Sequence, residues 1–184
     1  MFFYSTFFLI FWCFNILHIY FIYIYNLVDW GCIMLNEYEI NISTLALISD
    51  SKNETLVIEN DSEYKVKKKA TKIVDSSCKY FGSSLVGRQE GTKNMISTSV
   101  KPPIIIEESR EIIFFPTSSP RIESCSWISY NNLLKYEKID KGYTRLYFLG
   151  GKNFDLEVSY NIVENQVTRC IRLEKALLRR KKAI

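Results

Sequence analysis

Apolar and polar positions alternate in short runs over most of the chain from Tyr38 onward. The apolar residues of the first runs lie on both sides of a polar, turn-like cluster at 49–53: Ile40, Ile42, Leu45, Leu47 and Leu56 to Ile58. This pattern predicts a hairpin or meander of strands. The next apolar residues recur at helical spacing: Ala70, Val74, Cys78 and Phe81. This spacing predicts a helix over 70–81 that ends at Gly82.

The middle of the chain predicts a loop followed by a series of strands. The glycine-containing stretch 82–93 is interpreted as a loop, and Lys101-Pro102-Pro103-Ile104 as the start of an extended segment. Apolar and alternating runs predict strands near 112–115, 126–130, 134–139, 144–149 and 154–158. Gly150-Gly151 is a two-residue hairpin signal.

The end of the chain predicts an amphipathic helix from about Ile162, where Asn161 and Glu164 have capping-box spacing. One side of this helix is apolar: Val163, Val167, Cys170, Ile171, Leu177 and Leu178. The adjacent side is basic: Arg169, Arg172, Lys175, Arg179 and Lys182. The expected fold is of the α+β class, mainly antiparallel strands with a central helix and a C-terminal basic amphipathic helix.

Residues 1–33 form an apolar leader, and residues 34–184 form the expected domain. The leader is long enough to span a bilayer but lacks the basic segment and cleavage site of a signal peptide. It fits a membrane anchor, a buried helix, or upstream sequence read in frame before a true start at Met34. We favour the third interpretation, because the leader is rich in residues that AT-rich codons encode. A cytoplasmic protein is therefore expected, and a membrane location only if the leader is translated.

Charge and candidate chemistry indicate a binding protein and not an enzyme. The formal net charge is +4, no Lys or Arg precedes Lys52, and residues 169–182 hold seven Lys/Arg against one Glu. Such a tail suits nucleic acid, a membrane surface or an acidic protein. The single histidine, His18, lies in the leader, so the domain lacks histidine for a catalytic triad or a zinc site.

The cysteines and the glycine loop suggest no cofactor or metal either. The five cysteines are far apart and predict reduced, packed thiols. Gly82 and Gly87 have the spacing of a nucleotide-binding P-loop. Arg88 and Gln89 replace the lysine and hydroxyl residue that such a loop needs, so ATP binding is rejected.

Several sequence blocks in the same order resemble the bacterial competence transcription factor (ComK) family. They cover roughly Tyr38 to Leu173, and their order is more specific than any single motif. The longest runs from Ile73 through Cys78-Lys-Tyr-Phe-Gly82 and Gly87-Arg88 to Gly91-Thr92; the others are Lys101-Pro-Pro-Ile104, Phe114-Phe-Pro-Thr117, Cys125-Ser-Trp127-Ile128-Ser129, Ser159-Tyr160-Asn161 and Glu164 to Arg169.

The resemblance implies a transcription activator of DNA-uptake genes. Such proteins bind AT-rich double-stranded DNA largely through the minor groove, as homodimers or dimers of dimers, and RNA polymerase is an expected partner. AT-rich minor grooves are narrow and strongly negative, which favours inserted cations. We expect six residues to approach the DNA: Lys79, Arg88, Lys93, Lys101, Arg169 and Arg172. Gly87 and Gly91 would let the loop lie close to phosphates, and Cys78, Phe81 and Trp127 are assigned mostly to the core.

Two departures from the family limit what the resemblance implies. The leader has no counterpart in the family, and we expect the domain to be truncated at its C-terminus, because the sequence ends in 174–184, soon after Leu173, where family members usually continue into a tail that carries the segment bound by a protease adaptor. DNA binding is therefore the safer expectation, while activation and adaptor–protease control are in doubt. The rival interpretation is a membrane-anchored, non-enzymatic interaction domain that uses the leader as a transmembrane segment and the basic helix at a lipid surface.

Overall fold

In the computed structural model, residues 33–50 and 53–182 are described, and they form two mainly antiparallel sheets and three helices. The strands are β1 (Ile33–Leu35), β2 (Thr44–Ser49), β3 (Thr55–Glu59), β4 (Glu63–Val66), β5 (Ile104–Glu107), β6 (Ile112–Pro116), β7 (Trp127–Ser129), β8 (Leu133–Asp140), β9 (Tyr143–Phe148) and β10 (Asn153–Leu156). The helices are α1 (Ala70–Tyr80), α2 (Leu85–Ile96) and α3 (Tyr160–Lys182). The α+β class is confirmed.

The larger sheet has seven strands in the order β1-β4-β3-β2-β7-β6-β5, and the smaller has three in the order β10-β9-β8. Every neighbouring pair is antiparallel except β1 and β4, which are parallel. The predicted meander is confirmed as β2-β3-β4, and the strands predicted near 112–115, 126–130, 134–139 and 144–149 are present within a few residues. The strand predicted near 154–158 is β10, which ends two residues earlier, at Leu156.

Neighbouring residues in the central strands enter two different cores, because side chains alternate across a strand. Phe114 of β6 and Trp127 of β7 pack against α1, with Ile73, Val74 and Cys78 of that helix. The next residues in each strand, Phe115 and Ile128, pack on the opposite face with α3 and the small sheet, including Cys170, Leu173, Leu146 and Phe148. The large sheet is therefore covered on both faces, which explains the continuous apolar runs.

The α1 helix and its core residues match the sequence analysis. Its bounds agree with the predicted 70–81 within one residue, Cys78 and Trp127 are fully buried, and Phe81 is partly buried. Cys78, Cys125 and Cys170 are free and buried, as predicted; Cys13 and Cys32 lie outside the described residues. Burial raises the pKa of the Cys78 thiol to about 11, so it packs as a neutral group.

The predicted loop over 82–93 is wrong, because most of it is the helix α2. Two glycines lower the intrinsic helix propensity, but tertiary contacts and a cap offset that reduction. The Gly87 N–H donates to Ser84 Oγ at the helix start, 3.1 Å away, and Asp75 Oδ1 of α1 accepts the Leu85 N–H at 3.0 Å. The Lys79 ammonium, which bonds Asp75, holds the pKa of that carboxyl below its ordinary value.

The α2 helix also packs at one edge of the large sheet. Leu85 at its start belongs to the core on the α1 face, while Ile96 at its end belongs to the core on the α3 face. The helix contacts β5, the last strand of the large sheet, so it passes around that edge. A helix packed at an edge strand hinders pairing of that strand with another chain.

Two details of the C-terminal prediction are wrong, the two-residue hairpin and the capping box. The link between β9 and β10 has four residues, Leu149–Lys152, although Gly150 and Gly151 do supply the positive φ angles (91° and 89°) that it needs. The helix begins at Tyr160 and the Ser159 carbonyl accepts its first N–H bonds, so Asn161 and Glu164 form no capping box. The Glu164 carboxylate instead accepts the Tyr136 hydroxyl at 3.0 Å.

The buried face of α3 is also rotated from the predicted one. Ile171 and Leu178, assigned to the apolar side, are 37% and 44% exposed. The buried set includes a glutamine whose side-chain amide donates to the Pro116 carbonyl at 2.6 Å: Val163, Gln166, Cys170, Leu173 and Leu177. Val163, Cys170 and Leu177 are buried as predicted, whereas Gln166 and Leu173 take buried positions that the predicted apolar side did not include, and the hydrogen bond satisfies the Gln166 amide nitrogen there.

The predictions for the leader lie almost wholly outside the described residues, so the start at Met34 stays a prediction. Met34 itself lies in β1, opposite Lys65 of β4. Within the described ranges, no helix is long and apolar enough to cross a membrane.

Replacing Gly91 by Ala tests the assignment of α2. Gly91 lies in the helix, and an added Cβ would meet no atom within 4 Å. We expect Gly91→Ala to raise the free energy of unfolding by about 0.5–1 kcal/mol, because alanine loses less backbone entropy in a helix. The measurement is denaturant unfolding followed by circular dichroism.

The matched control is Gly82→Ala, at a position with φ of +76°. It should lower the free energy of unfolding by roughly 1–2 kcal/mol, because the left-handed conformation strains an L side chain. An equal decrease in the free energy of unfolding for both variants would contradict a helix at Gly91.

Candidate nucleic-acid interface

The six cations predicted to approach DNA lie on all three helices and on the linker before β5. Lys79 is in the last turn of α1, and Arg88 and Lys93 are on α2. Lys101 lies between α2 and β5 with a φ of 47°, and Arg169 and Arg172 are on α3. Arg169, Arg172 and Lys101 lie together at the linker. Arg88 and Lys93 lie on α2, and Lys79 lies in a separate cleft beside α1.

Arg169, Arg172 and Lys101 meet where the linker after α2 passes α3. Arg172 Nη2 donates to the carbonyl of Ile96, the last residue of α2, at 2.8 Å. Arg169 Nη1 donates to the carbonyls of Val100 at 2.8 Å and Lys101 at 3.4 Å. A guanidinium has five N–H donors, so these bonds orient each side chain and leave donors for another acceptor.

Arg88 and Lys93 are both half-buried on α2. Arg88 Nη2 donates to the carbonyl of Phe81, which caps the C-terminal end of α1, at 3.2 Å. Arg88 therefore ties α2 to α1, a role inside the protein that the sequence analysis did not anticipate. A positive group near carbonyls at a helix C-terminus is also favoured by the helix dipole.

A second group of cations lines an open cleft of about 450 Å³ beside α1, which we call the lysine cleft. Its walls hold five lysines and one carboxylate: Asn53, Lys67, Lys68, Lys69, Lys72, Asp75, Ser76 and Lys79. Of these lysines only Lys79 belongs to the predicted set. The loop between β4 and α1 supplies three of them, and the outer face of α1 supplies the other two.

The charge of the lysine cleft is only partly offset by nearby carboxylates. Lys79 Nζ lies 2.8 Å from Asp75, Lys68 pairs with Glu37 and Lys69 pairs with Glu123. Glu37 and Glu123 are more than 70% exposed, and such surface pairs are weak. Lys67 and Lys72, both exposed, make no ion pair among the described residues. The cleft therefore holds net positive charge.

Four of the five lysines of the cleft, Lys67–Lys69 and Lys72, lie at the N-terminal end of α1, where cations are least favourable, while Lys79 lies in its last turn. Lys69 is the N-cap residue, its side chain makes no capping bond, and the first turn contains no acidic residue. The positive end of the helix dipole favours carboxylates there, and Ser, Thr, Asp or Asn would cap it better. By contrast, the four basic residues of the last turn of α3, Arg179–Lys182, suit their helix end.

The sequence contains a basic cluster, Lys65 and Lys67 to Lys69, that the predicted site does not include. The signal that could have found it is its position directly before a predicted helix, where local rules disfavour cations. Positions that break such rules are often functional. The described residues contain no group of three or more His, Cys, Asp or Glu side chains that could hold a metal ion.

Comparisons with known proteins identify the family of the chain that carries this basic surface. The family model described as ComK protein matches residues 35–182. A competence transcription factor of Bacillus subtilis (strain 168) is 39% identical over 138 residues, which cover 73% of this chain and 72% of that protein. No solved structure matches. The family match covers most of the chain and includes all residues of the lysine cleft. The chain therefore belongs to the ComK family.

Proposed function

We propose that this protein is a sequence-specific DNA-binding regulator that activates competence (DNA-uptake) genes from AT-rich promoter boxes. The observation that carries the proposal is the lysine cleft, with five lysines against one carboxylate in one open surface. The relative from Bacillus subtilis is named for competence transcription. Under this proposal the protein is cytoplasmic and has no catalytic activity.

The lysine cleft has the chemistry that a phosphate backbone requires. Each lysine that neutralises a phosphate releases condensed counterions, and this release supplies much of the affinity of proteins for DNA. Phosphate contacts also fix the register and orientation of the protein on the duplex. Lys67 and Lys72 are the strongest candidates, because no carboxylate among the described residues pairs with them.

The preference for AT-rich DNA is assigned to the arginines near the linker. Narrow, electronegative minor grooves attract arginine more than wide ones do. Arg172 is exposed and Arg169 is half-buried, and the carbonyls of Ile96, Val100 and Lys101 orient them. Lys93 and Lys101 would support this contact, and Arg88 would act by holding α2 against α1.

Two copies of the protein would bind two half-sites of one promoter box. A two-fold dimer matches the symmetry of a palindromic site and doubles the number of phosphates that the protein neutralises. Activation would follow from contact between the bound protein and RNA polymerase.

Base-pair substitution in the operator tests the proposed function. The full-length protein should shift an AT-rich palindromic duplex in a gel at concentrations well below those needed for a GC-rich control. A duplex with inosine·cytosine pairs should bind more tightly than the GC-rich one, because inosine lacks the minor-groove amino group of guanine. Equal binding of all three duplexes, or no binding to any, would overturn the proposal.

Charge removal in the lysine cleft tests its contribution to affinity. The double variant Lys67→Gln/Lys72→Gln should bind the AT-rich duplex more weakly. The slope of log affinity against log salt concentration should become shallower by about 0.9 for each phosphate that the variant no longer neutralises.

The control is Lys141→Gln, which removes another exposed lysine, from the turn between β8 and β9. We expect the control to change the salt slope little. A cleft variant with the wild-type slope would remove the lysine cleft from the DNA interface.

A further inference from the structure

The start of the linker between α2 and β5, residues 97–101, is short, exposed and fixed at both ends. Three of these five residues are exposed. On one side of them, Ile96 is buried in the core on the α3 face, and on the other side Ile104 is buried in the core on the α1 face. Buried residues on both sides restrict this part of the linker to a small range of positions.

The two arginines of α3 also hold the linker by its backbone. Arg172 Nη2 donates to the Ile96 carbonyl and Arg169 Nη1 to the Val100 carbonyl, each at 2.8 Å. Hydrogen bonds from a charged donor are stronger than those between neutral groups. The Val100 carbonyl is therefore held by α3, while its side chain is 55% exposed.

The linker has a backbone conformation that its own sequence does not favour. Among the described residues, four that are not glycine have a positive φ, and two of these are Ser97 (50°) and Lys101 (47°). Lys101 also precedes Pro102, a position that favours an extended backbone. Such conformations persist only where the surrounding structure holds them, and they cluster where proteins bind ligands.

Positive charge surrounds the linker. Four cations lie on it or on the helices that it passes, and none of them makes an ion pair among the described residues: Lys93, Lys101, Arg169 and Arg172. The minor groove of DNA, about 6 Å wide, is too narrow for a helix about 10–12 Å across. Arms of non-helical chain do enter it in other DNA-binding proteins, so the linker has a suitable form.

Val100 is the exposed apolar residue among these cations. At an A·T pair the floor of the minor groove presents only the acceptors N3 and O2, whereas a G·C pair adds the guanine amino group. An apolar side chain can approach the floor closely where that amino group is missing. Where it is present, the side chain clashes with it and leaves its donor without an acceptor.

We propose that the linker lies in the minor groove of the AT-rich site, with the Val100 side chain against the groove floor. The inference rests on the proposed function and adds to it an apolar contact that excludes the guanine amino group. Arg169 and Arg172 hold the linker in place and keep donors free for the groove. Val100 is then a specificity-determining residue.

Replacing adenine by 2,6-diaminopurine in the operator tests this inference directly. Diaminopurine pairs with thymine, adds an amino group in the minor groove and leaves the major-groove edges of the pair unchanged. The full-length protein should bind the substituted duplex at least about fivefold more weakly for each pair that Val100 contacts. Fluorescence anisotropy at fixed salt gives both dissociation constants, and their ratio is the discrimination ratio.

Three variants separate Val100 from other causes. Val100→Ala should lower the discrimination ratio toward one, because the smaller side chain leaves room for the added amino group. Val100→Ile, which keeps an apolar side chain of at least equal size, should retain the wild-type ratio or exceed it. Val86→Ala removes another exposed valine, 62% exposed on α2, and should leave the ratio unchanged. All three should keep the wild-type circular dichroism spectrum, because both valines are exposed.

The outcomes distinguish this inference from the proposed function. Wild-type protein that binds the adenine and diaminopurine duplexes equally, and the GC-rich control weakly, would overturn the contact with the groove floor and leave the proposed function standing. A wild-type discrimination ratio that persists in Val100→Ala would overturn the role of Val100. No binding to any duplex would overturn the proposed function itself.

Discussion

The seven-stranded sheet must be buried on both faces, and the rest of the structure follows from that constraint. Phe114 and Phe115, or Trp127 and Ile128, are neighbours in sequence but belong to different cores, each closed by its own cover. One cover is α1, and the other is α3 with the small sheet. Because each helix uses one face for this purpose, its opposite face is available for charge.

The placement of that charge distinguishes a stabilising role from a binding role. Basic residues in the last turn of α3 complement the helix dipole, so their presence needs no ligand to explain it. The lysines around the N-terminal end of α1 oppose the dipole of their helix and repel each other. Their positions are unfavourable for the isolated fold and favourable for a complex with phosphates, which supports a role in binding.

The elements that could be predicted from the sequence are those whose local pattern and tertiary role agree. The 70–81 helix pattern and the β2-β3-β4 meander are of this kind, because their apolar spacing is also their burial pattern. The α2 helix could not be predicted, since Gly87 and Gly91 weaken the local signal and its support comes from Asp75 and from two separate cores. The buried side of α3 depends on Gln166, whose partner Pro116 is 50 residues away.

The cationic chemistry of the candidate site could be predicted from the sequence, but the positions and partners of its residues in the fold could be predicted less well. Cationic chemistry and family resemblance were visible in the sequence, whereas the carbonyl partners of Arg88, Arg169 and Arg172 depend on how α2 packs. The lysine cleft forms because the β4–α1 loop lies beside the outer face of α1, an arrangement that exists only in the folded chain.

Hydrogen–deuterium exchange on the full-length protein, with and without an AT-rich duplex, is the most direct test of the claim that this surface binds DNA. Bound DNA excludes water from the backbone that it covers, so exchange should slow in peptides spanning 67–80 and stay unchanged in the β8–β9 hairpin. Protection that appears elsewhere while 67–80 exchanges at its free rate would contradict the account.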